Sequence, residues 1–139
     1  MDFKIIPYEG AGKIRFGMSE KEVEAALGIK PEKFKKFEDD EFETDHYKWC
    51  QVFYKQPGVC EAIEFFLPAT VTFQGTTLLG KPYEKVKEII EKYDNSLEYD
   101  ETGFTSIKFG FGVYSPYAES EPSEPIEGVI VFEENYYNN

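Results

Sequence analysis

Two cysteines, a single histidine and a dense run of carboxylates are the side chains through which this sequence could do chemistry. A nucleophile–base pair or a metal site requires them to converge on one point. Cys50 and Cys60 flank Gln56-Pro57-Gly58-Val59, which reads as the turn of a β-hairpin. With residue 52 opposite residue 63, Cys50 lies across from Phe65 and Cys60 across from Lys55. Side chains alternate between the faces of a sheet, so this register sends the two sulfurs to opposite sides and predicts free thiols. His46 and Cys50 are four residues apart on extended chain, about 13 Å, which is beyond a shared metal or a catalytic pair. His46 therefore reads as a partly exposed residue at the start of a strand.

The carboxylates concentrate in Glu38-Asp39-Asp40-Glu41, continuing to Glu43 and Asp45. General acid–base catalysis needs two groups with separated pKa values in a dry cleft, and a solvated run does not provide that. A calcium loop needs D-x-[DN]-x-[DN]-G-x5-E, which is absent. A Ser-His-Asp triad would have to pass through His46, which has no serine near it in the sequence, and there is no GxSxG elbow. Gly10-Ala11-Gly12 is followed by neither phosphate-loop pattern. No catalytic, cofactor or metal residue is assigned. The use that suits Glu38, Asp39, Asp40 and Glu41 is contact with a basic partner, with weak cation binding or plain solvation as the other readings.

The elements that must position these residues show an internal similarity. Phe16-Gly17-Met18-Ser19-Glu20-Lys21-Glu22-Val23-Glu24-Ala25-Ala26-Leu27 parallels Leu79-Gly80-Lys81-Pro82-Tyr83-Glu84-Lys85-Val86-Lys87-Glu88-Ile89-Ile90. Each reads as an amphipathic helix. The first opens on a capping box, Ser19 with Glu22, and stops at Gly28. The second has Pro82 in its first turn, runs to about Tyr93 and ends at Asp94-Asn95-Ser96. Downstream, Glu61-Ala62-Ile63-Glu64-Phe65-Phe66 parallels Glu127-Gly128-Val129-Ile130-Val131-Phe132. Each of these follows another apolar strand, Trp49 to Lys55 and Ile107 to Tyr114.

Cys50, Val52, Tyr54, Ile63 and Phe65 share one face, and Gln51 and Glu64 point away, the pattern of a sheet with one wet side. Ile107, Phe109, Phe111 and Val113 form the matching stripe, with Lys108, Gly110 and Gly112 between them. In this reading Phe53 and Tyr114 point outward and are the aromatic candidates for partner contact. Phe3 to Ile6 reads as a leading strand, and Phe42 to Tyr47 and Leu97 to Thr102 as the first strand of each half. The acidic, proline-rich Ser115 to Pro125 reads as an exposed, mobile loop, and Tyr136-Tyr137-Asn138-Asn139 as a frayed tail.

The 139 residues suit one domain, and their 15 Lys and Arg against 27 Asp and Glu give a net charge of −12. That balance repels a phosphate backbone and argues against nucleic acid as partner. No apolar run approaches the ~18 residues of a membrane span, and no signal peptide is legible, so the expected setting is the cytoplasm, without a membrane partner.

Ile14-Arg15-Phe16-Gly17-Met18-Ser19, with Glu22-Val23, Leu27-Gly28 and Pro31, resembles the opening of the BLIP-like tandem repeats found in β-lactamase inhibitory protein and small outer-membrane assembly lipoproteins. The match is clearest over about 20 residues of the first half (Ile14 to Pro31) and looser in the second. The chain also looks like the small acidic immunity proteins of bacteria. The resemblance implies tandem helix–sheet units that bind protein, and it assigns no active residue. Without a signal or lipoprotein cysteine, the chain departs from the secreted and envelope members.

The expected fold is therefore α+β, with two related α-β halves, about 11–74 and 75–134, forming an antiparallel sheet with helices packed on one face. The expected function is non-catalytic inhibition of a basic protein such as a toxin. The alternatives are a homodimeric structural protein and a small-ligand-binding protein.

Overall fold

A computed structural model describes residues 1–138. It is dominated by sheet: thirteen strands in two sheets, with two short helices. The larger sheet is antiparallel throughout and has eight strands. Four come from one stretch of chain: β4 (Glu32–Phe34), β5 (Thr44–His46), β6 (Cys50–Lys55) and β7 (Val59–Phe65). Four come from another: β10 (Glu98–Asp100), β11 (Gly103–Ser106), β12 (Phe111–Tyr114) and β13 (Gly128–Phe132). Each set runs in sequence order, and the two meet at β7 and β13, giving the order β10-β11-β12-β13-β7-β6-β5-β4.

The second sheet holds β1 (Asp2–Ile6), β2 (Gly10–Ala11), β3 (Ile14–Arg15), β8 (Thr70–Phe73) and β9 (Thr76–Thr77), with β1 and β8 parallel. It contributes much of the layer over the inner face of the larger sheet. Phe3 meets Phe65 at 4.6 Å between ring centres, and Phe73 meets Phe111 at 5.0 Å. The sequence reading gave that layer to helices alone. Helices α1 (Glu20–Leu27) and α2 (Tyr83–Glu91) are too short for it: they bury only Val23, Leu27, Tyr83, Val86 and Ile90. Of these, Tyr83 faces Phe104 at 6.1 Å between ring centres.

Local chemistry sets the helix ends. Ser19 Oγ accepts from the Glu22 amide, and Glu22 Oε1 accepts from the Ser19 amide, closing the capping box. Gly28 ends α1 at a φ of 72°, a conformation that favours glycine. Pro82 offers α2 no side-chain cap. Instead the amides of Tyr83 and Glu84 donate to the carbonyls of Glu124 and Pro122 at 3.0 and 2.8 Å. The segment 115–125, read from the sequence as mobile, is thus bonded to the helix it faces, and Ser115 and Ala118 are buried.

The same backbone clamp is made at the start of each helix. Gly17 donates to the Cys60 carbonyl and Cys60 to that of Met18, while Gly80 donates to Ile126 and Ile126 to Lys81, all at 2.8–2.9 Å. Between β7 and β13, Ile63 faces Val131, Glu64 faces Ile130 and Phe65 faces Val129. Ala62 faces Phe132 as a fourth pair, and Glu64 stands 66 positions before its partner Ile130, the offset that also separates Cys60 from Ile126 in the two clamps.

Three local expectations are corrected. The β6–β7 hairpin carries a bulge at Phe53/Tyr54, so Cys60 faces Tyr54 rather than Lys55. Both thiols are therefore buried in the interior, and they remain free. Residues 107–110 form a turn instead of strand and leave Ile107 exposed, and Gly110 bends there at a φ of 74° with the Tyr8 ring against it. Tyr136–Asn138 form a 3-10 turn rather than a frayed end, with the Tyr136 and Tyr137 rings 5.9 and 4.9 Å from Phe132. Asn139 lies outside the described residues.

Asp94 organises the chain beyond α2. It is 1% exposed; Oδ1 accepts from Ser96 N and Oγ, and Oδ2 accepts from Ser106 Oγ at 2.7 Å. Burial pushes its carboxyl up, but these bonds and the charge of Lys108 outweigh it and hold the pKa below the ordinary 3.8. The resulting stabilisation is complete above the ordinary value and is lost as pH falls through the depressed one. Asp94→Ala is expected to cost about 1–3 kcal/mol at pH 7 in urea denaturation. The cost should shrink in strong acid, and a penalty unchanged there would contradict the assignment.

Candidate functional site

The loop between β4 and β5 determines where the acidic run goes. The Phe37 amide donates to Asp40 Oδ2 at 2.8 Å, and the Asp40 amide donates back to the Phe37 carbonyl at 3.0 Å. This closes a tight turn over residues 37–40. The turn lies beside the outward side of β6, and between them is an open depression of about 340 Å³. Phe53, Phe37, Phe42 and Tyr136 supply its aromatic surface, and Asp40, Glu41 and Glu61 its carboxylates. Gln56 Nε2 donates to Glu41 Oε1 across the rim.

Of the six residues singled out in the sequence, the depression gathers Asp40, Glu41 and Phe53. Glu38 and Asp39 are exposed on the same turn but do not line it. Tyr114 is exposed on the outer face, as read, but it pairs with Gly128 toward the far end of β13. By strand spacing it stands roughly 20 Å from Phe53. The two aromatics therefore do not form one patch.

Asp45, read as the end of the solvated run, is fully buried on the inner side. Its Oδ1 takes the Lys33 ammonium at 2.6 Å, and its Oδ2 accepts from the Tyr54 hydroxyl at 2.8 Å. Burial draws the Lys33 pKa down, but the bond and charge of Asp45, with Glu20 behind, carry it above the ordinary lysine value. Burial first, then the hydrogen bond to Asp45, pushes the Tyr54 hydroxyl far up. These bonds tie β4, β5 and β6 together beneath the loop that carries Asp40.

Sequence reasoning missed Lys36, Phe37, Glu61 and Tyr136. Lys36-Phe37 stands directly before the acidic run, and that alternation of base, aromatic and acid was the available signal. Tyr136 was hidden because the tail has no periodicity.

The groups with reactive potential lie elsewhere. His46 stacks on Phe66 at 5.6 Å, and its Nδ1 is 3.3 Å from Gln51 Nε2. Burial pushes the Cys50 and Cys60 thiols up to about 12, away from the thiolate that nucleophilic or metal chemistry uses. Among the described residues no three His, Cys, Asp or Glu side chains are grouped to hold a metal ion. In the same residues, no helix is long and apolar enough to cross a membrane.

The Glu61 carboxyl at the depression has its pKa raised above the ordinary value. Burial raises it, Glu133 raises it further, and Lys55, ion-paired to Glu133, pulls partly back. No family model, curated protein or solved structure matches this chain.

A raised carboxyl destabilises the fold once it ionises, so its penalty is absent below the ordinary 4.5 and present above the raised value. Glu61→Gln is expected to raise Tm at pH 7, with the gain disappearing as pH falls toward 4. A lower Tm at pH 7 would show that the carboxylate is instead held by favourable partners.

Proposed function

We propose that this protein is a non-catalytic binding module that docks on a basic protein and neutralises it, as an inhibitor or immunity protein does. The observation that carries the reading is the outer depression, where Asp40, Glu41 and Glu61 line a surface with Phe53 and the exposed Phe37, alongside Lys36 and Lys55, the latter already ion-paired to Glu133. A net charge of −12 accelerates encounter with a positive surface. Aromatic side chains beside that charge supply the area from which interface hot spots are built. The cytoplasm as its compartment belongs to the same proposal.

The architecture belongs to it as well. We read the chain as two duplicated α-β units, about 11–74 and 75–134, laid edge to edge with their helices toward the inner face. The repeated clamps, Gly17 with Cys60 and Gly80 with Ile126, support that reading. So does the offset of 66 positions that relates Cys60 to Ile126 in the clamps and Glu64 to its partner Ile130 in the ladder. A homodimer through the sheet edges is less well supported. β4 and β10 are exposed edges, but they carry Glu32, Glu98 and Asp100, and edge charge opposes strand addition.

The test is capture from the source cell's lysate and secreted fraction on the immobilised protein. Expected is a basic polypeptide held at about 50 mM salt and released near 500 mM, where the Debye length falls to a few ångströms. Its capture should drop about ten-fold or more on the triple substitution Asp40→Asn, Glu41→Gln, Glu61→Gln, and its activity should be suppressed by the wild-type chain. Capture indifferent to salt and to these substitutions, or retention of small metabolites alone, would overturn the proposal.

A further inference from the structure

We propose that the depression is a seat for one alkylammonium or guanidinium side chain, filled by Lys36 in the free protein and taken over by a lysine or arginine of the partner. This rests on the binding reading above and narrows it to a single recognised group.

The position of Lys36 carries the argument. Its ammonium lies 4.9 Å from the ring centre of Phe53 and 5.9 Å from that of Phe37. Both distances fall within the ~6 Å over which a cation is attracted to an aromatic face. Asp40 and Glu41 line the same depression, as does a second lysine, Lys55, whose ammonium is taken by Glu133. Even so, the ion pairs among the described residues are Lys33–Glu20, Lys33–Asp45 and Lys55–Glu133, and Lys36 takes part in none of them. The seat thus has rings that hold a cation and carboxylates that the resident cation does not reach.

A side chain arriving from outside is not bound to the backbone at residue 36 and can satisfy both. Arginine fits best. Its planar guanidinium stacks on a ring while its N–H groups, lying in the same plane, reach a carboxylate. Asp40 offers Oδ1, since its Oδ2 already accepts from Phe37 N. Glu61, raised by burial and by the neighbouring Glu133, gains from any positive charge placed beside it. The volume of about 340 Å³ is ample for one such side chain.

Exchange with Lys36 also bears on specificity. A partner must displace an exposed cation–aromatic contact, which is worth a few-fold in affinity, so a scattered positive charge gains little and a well-placed one gains more.

The probe is Nα-acetyl-arginine methylamide, titrated into the ¹⁵N-labelled protein and followed by NMR, with the norleucine analogue as the uncharged control. Saturable shifts are expected at residues 36–42, Phe53 and Glu61, with none from the control. Lys36→Ala should bind roughly three-fold to five-fold more tightly. Lys92→Ala, the same charge change on an exposed residue beyond α2, should bind as wild type does. Phe53→Leu, and Phe37→Ala at a ring already 62% exposed, should each weaken binding by a similar factor while the amide spectrum stays folded. An affinity unaffected by Phe53→Leu and Phe37→Ala, or a Lys36→Ala variant that binds no more tightly than wild type, overturns the seat. If the probe behaves as expected and no basic polypeptide is captured, the function fails and the seat stands. If a polypeptide is captured equally by Phe53→Leu, the seat fails and the function stands.

Discussion

The pairing of β7 with β13 is the constraint on which the rest of this molecule depends. Every other strand of the larger sheet is reached from this pair through sequential hairpins, so β7–β13 is the single place where the two runs of chain are joined edge to edge. Its inward residues, Ile63, Phe65, Val129 and Val131, are wholly buried. Phe65 also carries the ring of Phe3 and so brings the second sheet down onto the same junction. On the other side Phe132 is buried with Tyr136 and Tyr137 against it. One strand pair thus fixes the core, the second layer and the path of the C-terminal segment.

The functional reading follows from what that junction leaves at one end. The outer face is not a uniform docking slab, because Phe53 and Tyr114 are too far apart to work as one surface. The depression is built at the β6 end by a loop closed on itself through Asp40 and by a tail turned back through Tyr136. Beneath it the buried Asp45, bonded to Lys33 and Tyr54, holds the flanking strands. A carboxylate placed there costs desolvation and is tolerated because both its oxygens are engaged. The acidic run thus divides its labour: Asp45 organises, while Asp40 and Glu41 face the solvent.

Much of this was legible in the sequence where the cause is local. Ser19, Glu22 and Gly28 set α1 because caps act within a few residues. Val52 opposite Ile63 could be read from alternation and a tight turn. The bulge at Phe53/Tyr54 could not, since alternation assumes an unbroken ladder, and the side assigned to Cys60 failed with it. The second sheet was also hidden: the parallel pairing of β1 with β8 joins segments more than sixty residues apart, and neither carries a mark of its partner. The cap on α2 was missed for a related reason, because it comes from the backbone of residues 122–124 and not from a side chain. For the site, three of the six residues named from the sequence, Asp40, Glu41 and Phe53, line the depression, and most of its wall was not named. The acids and Phe53 were visible by type. The turn that brings them together, and the tail that completes the wall, depend on contacts over long separations.

Native-state hydrogen exchange is the most direct measurement of the central claim. If the junction holds the fold together, the amides paired between β7 and β13, residues 62–65 and 129–132, should exchange slowest and only through global unfolding, while residues 35–43 exchange fast. Two separate groups of slow amides, each opening at its own free energy with the β7–β13 amides exchanging early, would contradict the account.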